Sequence, residues 1–156
     1  MILAVGRKTP MDFFGFGRAV PGCAAVLVDT SVWIDFFNGK ETSRTERLEY
    51  YLSHAIVIVG DLILAELLQG FRNDKDYRIA KSLLEKLELV PLCNIELAIK
   101  SAQNYRALRK EGVTIRKTID SIIATYCIEN DIPLLYSDRD FDPFVENLKL
   151  KDGLAP

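Results

Sequence analysis

Four short apolar runs, AVLVD (25–29), AIVIVG (55–60), LELVPL (87–92) and IPLLYS (132–137), recur along a chain whose other segments carry helical periodicity. The first shows no polar alternation, which marks a strand covered on both faces and hence a parallel sheet between helices. Six helical segments fill the gaps. SVWIDFFNGK (31–40) is closed by Asn38-Gly39, and TSRTERLEYYLSH (42–54) sets Leu48, Tyr51 and Leu52 on one face. DLILAELLQGF (61–71) opens on Asp61 as its cap and is closed by Gly70, and 74–88 carries Tyr77, Ala80, Leu83, Leu84 and Leu87 at helical spacing. The segment 94–112 has Gly112 just past its end, and 118–131 has a stripe of Ile119, Ile122, Ile123, Tyr126 and Cys127. DRDFDPFVEN then reads as a turn or short helix, and LKL (148–150) as a short edge strand. Strands alternating with helix pairs predict an α/β fold: a three-layer α/β/α sandwich around a mainly parallel sheet of four to five strands.

The chain has 156 residues, enough for one domain, expected over 26–150. Residues 1–25 are rich in Gly and Pro and read as an N-terminal extension, either a poorly ordered arm or the product of a start assigned too far upstream. Arg7 and Lys8 follow the short apolar run there, the wrong order for a signal peptide. No apolar run reaches the ~20 residues that span a bilayer. Cys23, Cys93 and Cys127 form no C-x-x-C pair, which argues against a disulfide framework or a zinc site and suits a cytoplasmic protein. His54 is the single histidine, so His-rich metal sites are excluded. A net charge of −2 draws no nucleic acid to the molecule as a whole; such a partner needs a local basic patch.

Four acids stand where stability alone gives them little reason to be. Asp29 ends the first strand, at the sheet edge where open α/β folds bind ligands, although an aspartate there also serves as a helix N-cap. Glu66 lies inside an apolar helix and is expected to be buried, which requires a partner: Arg72, a set of donors, or a metal. Asp120 sits near the start of a helix, where the dipole stabilises an anion. Asp138 follows the last strand, with Asp140 and Asp142 close behind in what is otherwise an ordinary polar turn. Neighbouring first and fourth strands bring Asp29 and Asp138 to one rim, with Asp120 and Glu66 beside it. Carboxylates that crowded repel unless a cation neutralises them, and oxygen ligands without His or Cys suit Mg2+, or alternatively Mn2+. Ser31 either supports this site or caps the helix.

The segments VLVDTSVWIDFF, ILAELLQGF, GVTIRKTIDSIIATYCIEN and LLYSDRDFDPF, in this order, resemble the PIN-domain ribonucleases, specifically the VapC-type toxins of toxin–antitoxin pairs. The resemblance implies a metal-dependent endoribonuclease whose four acids map to Asp29, Glu66, Asp120 and Asp138. Asp140 is an alternative for the fourth, and Ser31 is the supporting hydroxyl. It also implies an RNA substrate cut to a 5′-phosphate and a 3′-hydroxyl, a cognate VapB-like antitoxin, and a homodimer. Arg106, Arg109, Lys110, Arg116 and Lys117 around the turn before Asp120, with Arg72, Lys75 and Arg78 after Glu66, either contact RNA phosphates or form solvated helix faces. Trp33, Phe36, Phe37, Tyr50 and Tyr51 read first as core and second as an antitoxin-facing surface. Competing readings are a haloacid-dehalogenase-like phosphatase, which wants a D-x-D where this chain has Ser31, a phosphoacceptor receiver domain, and a PIN fold kept only for binding.

Overall fold

The computed structural model describes residues 24–155. The expected extension, apart from its last two residues, and Cys23 lie outside them. Four parallel strands, β1 (Ala25–Val28), β2 (Ile56–Gly60), β3 (Glu88–Val90) and β4 (Leu134–Leu135), pair in the order β3-β2-β1-β4. Leu27 in β1 stands opposite Ile58 on one side and Leu134 on the other. Val26, Leu27 and Val28 are wholly inaccessible, as expected of a central strand with both faces covered. The helices are α1 (Thr30–Phe37), α2 (Ser43–His54), α3 (Asp61–Gln69), α4 (Asp74–Leu84), α5 (Ile95–Lys110), α6 (Thr118–Glu129) and α7 (Asp142–Leu148), the last preceded by a 3-10 turn at Arg139–Phe141. They form the two outer layers of an α/β/α sandwich: α1 packs on α2 and α3, and α5 on α6 and α7.

The chain walks outward from β1 through β2 to β3, then crosses to the far side of β1 to lay down β4. That reversal makes the carboxyl ends of β1 and β4 a topological switch point, the place where open α/β sheets bind ligands.

Several local details differ from expectation. LKL is not a strand. Helix α7 runs through Leu148, Lys149 takes a left-handed φ of 64°, and Leu150 is buried. The next residues lie along β4 instead, with Leu134 N–H donating to Lys151 O at 2.9 Å and Gly153 N–H to Leu134 O at 2.8 Å. Asp61 is not the cap of α3, since Gly60 precedes the helix. The Asp61 carboxylate accepts from the N–H groups of Leu62 and Leu92, tying α3 to the end of β3. Gly60 is required for packing, because a Cβ there would sit 2.3 Å from Leu92 Cδ1. The α6 stripe is also rotated. Ile119 is exposed, Ile122 and Tyr126 are half-buried, and the inward face is Asp120, Ser121, Ile123, Ala124, Thr125 and Cys127. Trp33 and Phe37 are core residues, stacked at 5.9 Å, whereas Tyr50 is exposed and stacks on His54 at 4.3 Å.

The C-terminal segment is strapped to α2. Arg44 pairs with both oxygens of Asp152 and lies 4.8 Å over the Tyr136 ring. Tyr51 Oη donates to Gly153 O at 2.7 Å, and Arg47 Nη2 to Leu154 O at 3.1 Å.

Candidate metal centre

Asp29 follows β1 directly and is the N-cap of α1, so the cap role and the rim position coincide. Its Oδ2 accepts from Ser31 N–H at 2.9 Å and from Ser31 Oγ at 2.5 Å. The same hydroxyl accepts from Ser137 N–H at 3.0 Å, and Asp29 N–H donates to Leu135 O at 2.9 Å. Ser31 thus locks the exit of β1 to the exit of β4. Burial, against the hydrogen bonds from Ser31, raises the Asp29 carboxyl above the usual carboxylate range, and the charge of Glu66 adds to the rise.

Glu66 is half-buried, not enclosed as its apolar helix suggested. Helix α3 leaves Asp61, Ala65 and Gln69 exposed, and Glu66 lies at the margin of that solvent side. Its partner is not Arg72. Thr30 Oγ1 donates to Glu66 Oε2 at 2.7 Å, a role the sequence reading missed. The only signal was the second hydroxyl in Asp29-Thr30-Ser31.

Asp120 is buried, 5% exposed, in the first turn of α6, and its Oδ2 has no hydrogen-bond partner. Burial, partly offset by the Lys117 ammonium and reinforced by the charges of Asp29, Asp138 and Asp140, pushes its pKa up to about 7. One carboxylate oxygen from each of Asp120, Asp138 and Asp140 lies within 4.8 Å of the other two. Asp138 is the N-cap of the 3-10 turn, accepting from Asp140 N–H at 3.1 Å, and Lys117 Nζ approaches its Oδ2 at 3.4 Å. Arg116 forms a two-pronged pair with Asp140.

An orphaned, buried carboxylate oxygen beside further carboxylates, with no nitrogen or sulfur donor in the set, fits a hard divalent cation. Asp29 and Glu66 complete the acidic rim, each charge felt by its neighbours. Among the cations singled out from the sequence, Arg116 and Lys117 stand at the acids. Arg109 and Lys110 are exposed at the end of α5, and Arg72 is exposed beyond α3. Burial pulls Lys117 down, but the carboxylates of Asp120, Asp138 and Glu66 outweigh it and hold the ammonium above its ordinary value.

A sheet switch point rimmed with carboxylates defines a class of α/β protein whose donor set suits a hard divalent cation. The PIN domain family matches residues 26–145. Over 122 residues the chain is 30% identical to ribonuclease VapC11 of Mycobacterium tuberculosis, covering 75% of this chain and 89% of that protein. It is 32% identical over 109 residues to ribonuclease VapC1 of Methanocaldococcus jannaschii, covering 70% and 72%. The fold agrees with that of two solved complexes. VapBC2 of Rickettsia felis, bound to a DNA fragment from its promoter, gives a TM-score of 0.66 at 18% identity, covering 81% of this chain and 96% of that one. VapBC-1 of nontypeable Haemophilus influenzae gives 0.65 at 19%, covering 84% and 99%. This chain belongs to the PIN-domain family, in its VapC ribonuclease branch.

Proposed function

We propose that this chain is a Mg2+-dependent endoribonuclease, the toxin of a type II toxin–antitoxin pair, silenced by a VapB-like antitoxin. The observation that carries the reading is the buried, unpartnered Asp120 Oδ2 beside the carboxylates of Asp138 and Asp140. Asp29, Asp120 and Asp138 would hold the metal, and Glu66 would bind a second ion or orient the attacking water. When bound, the metal supplies Lewis-acid polarisation of the phosphate and lowers the pKa of a water. Thr30 keeps Glu66 turned toward the rim through its 2.7 Å hydrogen bond, and Ser31 fixes the Asp29 carboxylate. Arg116 and Lys117 offset the negative rim so that a phosphodiester can approach, with Arg109, Lys110 and Arg72 as more distant contacts along the RNA. Hydrolysis in this arrangement needs no ribose 2′-hydroxyl as nucleophile and no histidine base, in keeping with an exposed His54.

Activity should require divalent metal, and both Asp29→Asn and Asp120→Asn should abolish RNA cleavage. Cleavage persisting in EDTA, or in both variants, would remove the reading. Turnover of a small phosphomonoester with RNA left intact would favour the phosphatase alternative, and neither activity a pure binding module.

The VapBC structural neighbours support an antitoxin partner. A homodimer is supported by exposed Ile95 and Ile99 on α5 and Ile119 on α6, the two helices that line a cleft of about 320 Å3. Ile99→Glu should shift the protein toward monomer in sedimentation. Among the described residues no helix is long and apolar enough to cross a membrane, and the free thiols of Cys93 and Cys127 suit the reducing cytoplasm where such a toxin would act.

A further inference from the structure

Asp138 and Asp140 compete for one role at the metal centre, and their partners separate them. Lys117 touches Asp138 through a single 3.4 Å contact. Arg116 instead engages Asp140 side-on: Nε lies 3.0 Å from Oδ2, and Nη2 lies 2.8 Å from Oδ1. Both Asp140 oxygens thus accept from one close guanidinium, whereas Asp138 accepts from a neutral backbone N–H at Oδ1 and from the more distant ammonium at Oδ2. The two ends of this pair differ in exposure. The Asp140 side chain is 15% exposed and the Arg116 side chain 72%. Asp140 is itself held, its N–H on Asp138 Oδ1 and its neighbour Phe141 in the core. A firmly seated carboxylate thus carries a solvent-facing arm at the edge of the acidic rim, close enough for the charges of Asp138 and Asp120 to act on it.

Side-on pairing uses Nε and one proton of Nη2. The protons of Nη1 and the outer proton of Nη2 remain free and keep the planar fork that matches a phosphate. A dication sharing Asp140 with this guanidinium would set like charges against each other. Arginine on a long exposed stem otherwise loses rotamer freedom when it grips a ligand, and a pre-seated arm has already lost it.

We propose that Asp140 is a positioning residue acting through Arg116, presenting the free face of its guanidinium to an RNA phosphodiester beside the one being cut, while Asp29, Asp120 and Asp138 keep the metal. The proposal rests on the ribonuclease reading above and assigns to Asp140 a task other than metal ligation.

The test uses the full chain with two readouts independent of turnover. The first is Mn2+ binding to the protein alone by electron paramagnetic resonance. The second is binding of a fluorescein-labelled single-stranded RNA in EDTA, by anisotropy across a salt series. Asp138→Asn should weaken Mn2+ by ~10-fold or more, while Asp140→Asn stays within about threefold of the unmodified protein. Arg116→Ala should weaken RNA binding by about tenfold and reduce the salt slope by ~0.7, the loss of one phosphate contact. In an Asp140→Asn background the same Arg116→Ala change should cost no more than about twofold, because the arm is no longer seated. Asp140→Glu, which keeps the carboxylate, should restore part of that coupling. Arg116 is at the surface, so the coupling does not depend on a variant with a damaged core.

Two results overturn the proposal while the unmodified protein still cuts RNA: Asp140→Asn losing Mn2+ as severely as Asp138→Asn, or Arg116→Ala costing the same with and without the Asp140 carboxylate. An unmodified protein that neither binds nor cuts RNA overturns the ribonuclease reading and this one with it.

Discussion

Replacing Asp120 by asparagine should make the metal-free protein more stable, and increasingly so as the pH rises. Asp120 titrates near 3.8 in solvent and at about 7 in the fold. Between these values the folded protein holds a proton that the unfolded chain has released, so stability falls as pH climbs through this window. About three pH units at ~1.4 kcal/mol each put the full penalty near 4 kcal/mol. Roughly 2–3 kcal/mol of it should develop between pH 5 and pH 8, since part is already present at the lower value. Asp120→Asn removes the titration. In EDTA, the gap between variant and unmodified protein should therefore widen by about 2–3 kcal/mol over that range, or ~5–10 °C in melting temperature for a chain of this size. Divalent metal should offset most of the penalty: at a hundred times Kd it adds about 2.7 kcal/mol to the unmodified protein and much less to the variant, so the gap at pH 8 narrows to about 1–2 kcal/mol. Thermal melts at four or five pH values, with and without Mn2+, measure both effects. A gap that stays constant with pH in EDTA would refute the view of Asp120 as a buried charge that needs a cation.

Ser31→Ala removes the hydroxyl shared by Asp29 Oδ2 and Ser137 N–H and should cost about 2–3 kcal/mol in urea unfolding, with loss of RNA cleavage. Arg44→Ala breaks a part-buried pair with Asp152 and the contact over Tyr136. It should cost ~2 kcal/mol in the same assay, and Arg44→Lys should recover only part, since an ammonium neither forks nor stacks. Gly60→Ala drives a Cβ into Leu92 and should destabilise by roughly 1–3 kcal/mol in thermal melts.

The layered architecture was legible because unbroken apolar runs have few uses in a domain of this size, and β1 with its inaccessible Val26, Leu27 and Val28 behaves as its composition requires. Asp29 was legible for a related reason, as a charge placed where an apolar strand leaves the sheet. Other details depend on geometry that spacing alone does not carry. Glu66 seemed enclosed because its neighbours are apolar, yet the helix keeps a solvent side and the residue sits at its margin. The stripe drawn through Ile119, Ile122 and Ile123 left Asp120 out of the buried face. The fold turns α6 so that the aspartate faces inward and the isoleucine outward. The bridging by Thr30 and Ser31, and the pairing of Arg116 with Asp140, join residues far apart in the chain, which a single sequence does not reveal. The strand expected at LKL was displaced by a few residues because α7 persists to Leu148.

The last strand to be laid down is the one that neighbours the first, and the serine lock across them joins positions 106 residues apart. A nascent chain leaving the ribosome therefore carries Asp29 and Glu66 long before it carries the loop that must close beside them. On the proposed nuclease reading, a chain cut short before that loop lacks Asp138 and the serine lock, and it should not cleave RNA.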